Sequence, residues 1–235
     1  MTGTANTLQF DPQRESAPRR VMTFERGDTP YEVTLHRPND PGRQKIEAFI
    51  RTRFYAVYGA RPEIAMPLLV AISDASGTLQ AAVGLRPAKG SELFLEQYCD
   101  RPIESHLADQ VGFTVPRHDI MEIGHLASIE NGLGRALFVV LTELLHRWQW
   151  RWIVCTGTRH VRNSFQRLRL ATVNLGEADP NRLPNGTRGW GSYYDHTPQV
   201  LAAPVDEAHH RLQKAGAQDM LFPVTGSEVF HDQRA

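Results

Sequence analysis

Hydrophobic spacing divides the chain into alternating strand-like and helix-like segments. In "YEVTLHR" (31–37) apolar and polar residues alternate with the two-residue period of a half-buried strand. "PNDPG" breaks that pattern. In the following "RQKIEAFIRTRFYAVYGA", Ile46, Phe49, Ile50, Phe54 and Val57 fall on one helical stripe that ends near Gly59. "PLLVAIS" and "LQAAVGLR" flank the turn-rich "DASGT" and read as an antiparallel hairpin. "DIMEIGHLAS" (119–128) is the next strand. "LGRALFVVLTELLHRW" follows as a helix, with Leu137, Leu141, Leu144, Leu145 and Trp148 along one stripe. "RWIVCTGT" reads as a buried strand, "HVRNSFQRLRL" as a short helix, and "WGSYYDH" and "QVLAAPV" as two closing strands.

This order predicts a mixed α/β sheet with helices on both faces. The strand–helix–strand unit in its middle predicts a parallel pair joined by a right-handed crossover. Residues 1 to about 29 are polar and Pro/Arg-rich without a sustained period, which predicts a flexible lead-in. The domain proper then spans 30–205. Residues 206–235 are expected as a C-terminal extension packed on or beside the domain, with the helix-like "DEAHHRLQKAG" outside the main sheet.

Composition narrows the function classes. Lys plus Arg equals Asp plus Glu, 26 of each, so no basic excess points to nucleic acid. The two cysteines, Cys99 and Cys155, form no CxxC and predict reduced thiols, Cys155 within an apolar strand. The first twenty residues lack a signal peptide's apolar block, and no window is apolar enough to span a bilayer. The expectation is a cytoplasmic protein, monomeric or homodimeric. "GLGRAL" lacks the third glycine of a dinucleotide fingerprint, His209–His210 lacks metal-ligand spacing, and no GxSxG occurs.

The chemistry-bearing feature is a carboxylate, Glu122, inside a strand that reads as buried, followed by Gly132 and Gly134 at the start of an apolar helix. Burial lifts a carboxyl towards the range a general base needs, unless a cation pairs with it. The alternative for Glu122 is a salt bridge to Arg86 or Arg53 that holds neighbouring strands together. His125 is a candidate second base or relay, against the plainer reading of a core or surface histidine. In a regular strand 122 and 125 point to opposite faces, so both serve one site only if a bulge intervenes. The amides of the helix starting near Gly132 suit phosphate oxygens.

The element order resembles the GNAT acyltransferase fold, in which a central strand feeds a glycine-bearing turn and a helix that takes the pyrophosphate of coenzyme A. Over roughly residues 43 to 205, the runs "FLEQYCDRPIE", "EIGHLAS", "RNSFQRLRL" and "WGSYYDHTPQV" look like the thermostable hemolysin family. A more distant similarity is to the acyl-homoserine-lactone synthases, through Arg86 in "VGLRPA", the segment "LFLEQY", Glu122 in "MEIGHLAS", and loosely Arg51 and Tyr55 in the first helix.

These resemblances imply an N-acyltransferase that moves an acyl group from acyl-CoA or an acyl carrier protein to an amine, an amino acid or derivative, with no permanently bound cofactor. They imply Glu122 and His125 as catalytic. Leu126, Ala127, Ser128, Gly132, Gly134, Arg135 and Asn163 are the implied donor contacts, and Arg86, Glu96 and Tyr193 the implied substrate contacts. Of Tyr193 and Tyr194, one is expected in the core and the other at the pocket. The sequence also departs from those patterns. Ile129 stands where the GNAT pyrophosphate motif has a polar residue, and Phe165 where that fold has a general-acid tyrosine. His125 replaces the hemolysin family's usual asparagine, and Arg169 a glycine. A carrier-protein donor fits Ile129 as well as coenzyme A does. A membrane-active protein and a catalytically degenerate thioester-binding module are the alternatives.

Overall fold

The computed structural model describes residues 19–129, 133–217 and 221–223. Their frame is one mixed sheet. Its central strands are the hairpin β3 (Leu68–Asp74) and β4 (Leu79–Pro87), then β5 (Ile120–Ser128) and β6 (Trp152–Gly157). β1 (Arg19–Arg26) and β2 (Thr29–His36) extend the sheet beyond β3, while β7 (Val173–Glu177) and β8 (Gln199–Pro204) extend it beyond β6. With β9 (Leu221–Pro223), the nine strands lie in the order β7-β8-β6-β5-β4-β3-β2-β1-β9. Among these neighbours only β5 and β6 are parallel.

Strand alternation assigns the helices to opposite faces. On β3 and β4, Val70, Ile72, Val83 and Leu85 join the core under α3 (Leu133–Arg147), while Leu69, Ala71 and Ala82 pack with Ile46, Ile50 and Phe54 of α1 (Arg43–Tyr58). The predicted stripe of α3 is buried at all five positions. Each such leucine contributes about 1.5–3 kcal/mol of burial. α1 ends as predicted, with Gly59 at φ 64° donating to the carbonyl of Tyr55. α2 (Ile103–Val111) covers Ile120, Trp152 and Val154, α4 (Arg159–Arg167) follows β6, and α5 (Val205–Lys214) buries Val205, Ala208 and Leu212 in the α3 core.

Three expectations need correction. Residues 19–26 are not lead-in: Val21, Met22 and Phe24 are buried, and the segment pairs with β2 on either side of a bulge at Val21, so a strand begins before residue 29. Residues 1–18 lie outside the described set. "WGSYYDH" is no strand but a glycine-rich turn with a 3-10 segment at Tyr193–His196, because Gly191, at φ 53°, seats its Cα against the backbone of Tyr58. The strand pairing with β8 is instead β7, whose short "VNLGE" has too little apolar alternation to announce itself.

Candidate active site

The parallel pair is short, and its end creates the site. β6 pairs with β5 only from Ile120↔Trp152 to Ile123↔Cys155, whereas β5 stays on β4 as far as Ser128. Beyond Ile123 the two strands part and leave a wedge in the sheet. At the same point β5 bulges. Arg86 pairs with Glu122, Gly84 with Gly124 and Ala82 with Ala127, so His125 and Leu126 together face the single residue Val83. The extra residue resets the alternation. Glu122 and Ala127, which differ in parity, share the α1 side, and the His125 ring lies 5.9 Å from that of Phe54. His125 itself takes φ 53°, a conformation costly for a residue with a Cβ and characteristic of functional sites.

Two cavities meet at this bulge. The first, of about 90 Å³, passes through the wedge: Phe54, Tyr58 and Tyr193 line it on the α1 side, Phe138, Leu145 and Phe165 on the α3 side. The second, of about 350 Å³, opens on the α1 side and is more polar, with Arg61, Glu63, Arg86, Gln97, Glu122 and Arg188 on its walls. Both touch Gly124, His125, Thr156 and Tyr193.

Glu122 is 2% exposed. Its carboxylate accepts hydrogen bonds from the backbone N–H of Phe94 (3.1 Å) and Leu95 (2.9 Å), and Nε of Arg86 lies 3.9 Å away. Burial raises its pKa, and the two amides and the guanidinium offset this only in part. Glu122 is thus a carboxylate anchored to the Phe94–Tyr98 turn and to β4 while lining the polar cavity. Arg86 is fixed in turn by the carbonyls of Glu92 (3.0 Å) and Ala65 (2.8 Å). Arg53 does not reach Glu122; it donates to the Ser128 carbonyl at 2.9 Å.

Burial lowers the pKa of His125 to about 4, against a partly compensating hydrogen bond to the Glu63 carbonyl. The ring is neutral at pH 7, and its Nδ1 is buried without a partner. Tyr193 is buried, as one of the tyrosine pair was expected to be, and donates to the Thr156 carbonyl at 3.2 Å. Tyr194 lines neither cavity and is hydrogen-bonded to Tyr98 at 2.6 Å.

Other predicted positions scatter. Glu96 faces away from the cavities: it accepts from the Leu93 and Ile103 amides and from both Nη atoms of Arg117 (2.6 and 2.7 Å). Burial opposes ionisation there, but those donors hold the carboxyl below its usual pKa. Asn163 is exposed on α4 and lines neither cavity. Leu126 lines the apolar cavity, Ala127 is buried against α1, and Ser128 lies half-buried where β5 ends. A Cβ on Gly134 would come within 3.4 Å of Ser128 Oγ, so the first turn of α3 closes on the end of β5, with Arg135 exposed beside it. Gly132 lies outside the described residues.

Sequence reasoning passed over Met66, Gly84, Thr156 and Thr158. Gly84 and Gly124 pair across β4 and β5 to leave a bare patch for the Met66 side chain: a Cβ at Gly124 would sit 2.1 Å from Met66 Cε. Buried Arg43 holds Met66 there by its carbonyl (2.5 Å). The one signal for this was a glycine in each of two facing strands. Among the described residues no three His, Cys, Asp or Glu are placed to hold a metal ion, and no helix is long and apolar enough to cross a membrane.

The family model described as thermostable hemolysin matches residues 36–209. No curated protein matches the sequence. Among solved structures, FeeM, an N-acyl amino acid synthase from uncultured soil microbes, is similar at TM-score 0.53 and 13% identity, over 79% of this chain and 97% of that one. TofI in an apo form is similar at 0.52 and 16%, over 77% and 95%. The AHL synthase LasI is similar at 0.50 and 13%, over 74% and 90%. At such identities these likenesses show the fold, the mixed α/β sheet with helices on both faces that the element order predicts.

Proposed function

The chain belongs to the thermostable hemolysin family, and from that premise we propose that it is an N-acyltransferase, moving an acyl group from a thioester of coenzyme A or a carrier protein to an amino acid or related amine. One observation carries the reading: an apolar cavity through the sheet and a polar cavity beside it meet at Gly124 and His125. An acyl chain suits the first and a charged acceptor the second, with the carbonyl carbon between them. Arg61 and Arg188 on the polar wall suit an acceptor's carboxylate. FeeM, described as an N-acyl amino acid synthase, lends support at the level of fold.

The reaction forms an N–C bond and breaks a C–S bond. The acceptor ammonium, with a pKa near ~10, must first lose a proton. In this reading Glu122 is the general base, its pKa lifted by burial, and His125, neutral with a free Nδ1, relays the proton from the junction. Amides on the edge of β5 that β6 no longer pairs hold the developing oxyanion. The nitrogen attacks, the tetrahedral carbon collapses, and the thiolate leaves. A thiol of pKa about 8.5 needs little help from an acid, so Phe165 is no obstacle. The first turn of α3, with Gly134 and Arg135, and neighbouring Ser128 and Leu126 receive the donor's arm.

The test is thiol release by the purified protein, given panels of acyl-CoA and acyl-carrier-protein thioesters with free amino acids, and mass spectrometry of the amide formed. The expected result is turnover that falls about 10²–10⁴-fold in Glu122→Gln. No release above that variant refutes the reading.

A further inference from the structure

Between α1 and β3 the chain runs through residues 60–67 in no helix and on no strand ladder. Its burial nevertheless alternates as in a strand: Ala60, Pro62, Ile64 and Met66 are buried, while Arg61, Glu63 and Ala65 are exposed. The inward-facing Ala60, Ile64 and Met66 join the apolar cluster of α1. An extended strap without a partner strand must place its backbone polar groups elsewhere. Here they go to the site. The Glu63 carbonyl accepts from His125, the Ala65 carbonyl from Arg86 Nη2 at 2.8 Å, and the Met66 carbonyl from Arg43 Nη2 at 2.5 Å. At the other end the Arg61 amide donates to the Gly189 carbonyl at 2.7 Å, which ties the strap to another wall of the polar cavity.

The bond to Glu63 has a chemical consequence. A carbonyl only accepts, so the ring nitrogen that meets it carries the proton. His125 Nδ1 has no partner, so that nitrogen is Nε2. The neutral ring therefore keeps its proton on Nε2 and its lone pair on Nδ1, the form in which Nδ1 accepts a proton. The other tautomer would set a lone pair against the carbonyl oxygen. The strap makes this choice, and the strap is fixed at Met66, whose side chain fills the Gly84–Gly124 patch.

Arg43 holds that point from a distance. It is 6% exposed and lines neither cavity. Its Nη atoms donate to the carbonyls of Met66, Pro67 (3.4 Å) and His36 (3.4 Å), and its Nε to Glu47 at 2.9 Å. Burying a guanidinium is costly, and two of the four groups that satisfy it here belong to the strap.

We infer that the strap 60–67 positions the base of the site and that Arg43 acts through it, holding the Met66 and Pro67 carbonyls so that the Glu63 carbonyl stays on His125 Nε2 and Nδ1 stays bare. Arg43 is a positioning residue, since it touches neither cavity. The effect on rate rests on the acyl-transfer reading, whereas the tautomer is measurable without turnover.

The experiment is nitrogen-15 NMR of protein labelled at histidine, with the His125 signals identified by their loss in His125→Asn. At pH 7 wild type is expected to show a protonated Nε2 and a bare Nδ1. Arg43→Lys keeps the charge but gives up the planar fork that spans two carbonyls, and a mixture of tautomers is expected. Pro62→Gly, which loosens the strap without removing a hydrogen-bond donor, should give the same mixture. In both variants kcat for acyl transfer should fall about tenfold or more, part of the ~10²–10⁴ that a positioned base supplies, while KM for the thioester stays. Circular dichroism at the measuring temperature verifies folding. A wild-type His125 protonated on Nδ1 overturns the inference without any variant. So does a folded Arg43→Lys protein that keeps the wild-type tautomer, or one whose kcat is unchanged although its tautomers are mixed. The assigned tautomer in a wild type that releases no thiol overturns acyl transfer and leaves the role of the strap standing.

Discussion

Acidification tests the electrostatics of the wedge. His125 has a model-peptide pKa of 6.5 and about 4 in the folded protein, because protonation would place a cation in a buried site. Between those values the unfolded chain binds more protons at this position than the native one, so native stability falls as pH drops from 6.5 towards 4. Linkage over that span gives a loss of about 2 kcal/mol between pH 7 and pH 5, and about 3 kcal/mol by pH 4. The informative comparison is with His125→Asn. Asparagine does not titrate and tolerates the left-handed backbone better than most residues, so the bulge is kept. Urea unfolding of both proteins at pH 7 and pH 5 yields four free energies. Other titrating groups work in both proteins and cancel, including Glu122, whose raised pKa acts in the opposite direction. Wild type should lose about 2 kcal/mol more than the variant. Equal losses would mean that His125 is well solvated and not the neutral, enclosed ring described above.

Two further outcomes test the supports of the site. Gly84→Ala should destabilise by about 1–3 kcal/mol in urea unfolding, since its Cβ would lie 2.4 and 2.8 Å from Met66 Cγ and Cβ, next to the backbone and unable to swing aside; an unchanged midpoint would show that Met66 does not lie across the glycine pair. Arg117→Gln removes a guanidinium that ties Glu96 and Glu104 to the carbonyls of Ala88 and Ser91. It should cost about 2 kcal/mol, less than a fully buried pair because the side chain is partly exposed, and amide exchange at Phe94 and Leu95 should quicken. Protected amides there would show that Glu122 alone holds the turn.

Much of this fold is legible along the chain because its longest elements obey one period each. The α3 stripe, the α1 stripe apart from exposed Val57, the hairpin of β3 and β4, and the β5–α3–β6 unit all follow from local spacing and turn residues. So does the suspicion attached to Glu122, since a carboxylate within "IMEIG" is conspicuous wherever that strand is placed. Short or edge elements were not legible. β1 lies in a polar, arginine-rich stretch, and β7 gains its strand conformation from pairing with β8.

What the sequence by itself determined is therefore the layered α/β plan and the residue types available for chemistry. Tertiary structure decided which of them meet. Whether Glu122 and His125 share a face depended on one extra residue opposite Val83, a matter of register between strands about forty positions apart in the chain. The gap in the sheet exists because β6 leaves β5 after Ile123, which no local periodicity records. Glu96, a substrate contact on the resemblance, is brought by the fold to Arg117, far along the chain. Local pattern fixes conformation residue by residue, whereas a site is a set of distances between residues remote in sequence, and those distances are set by packing.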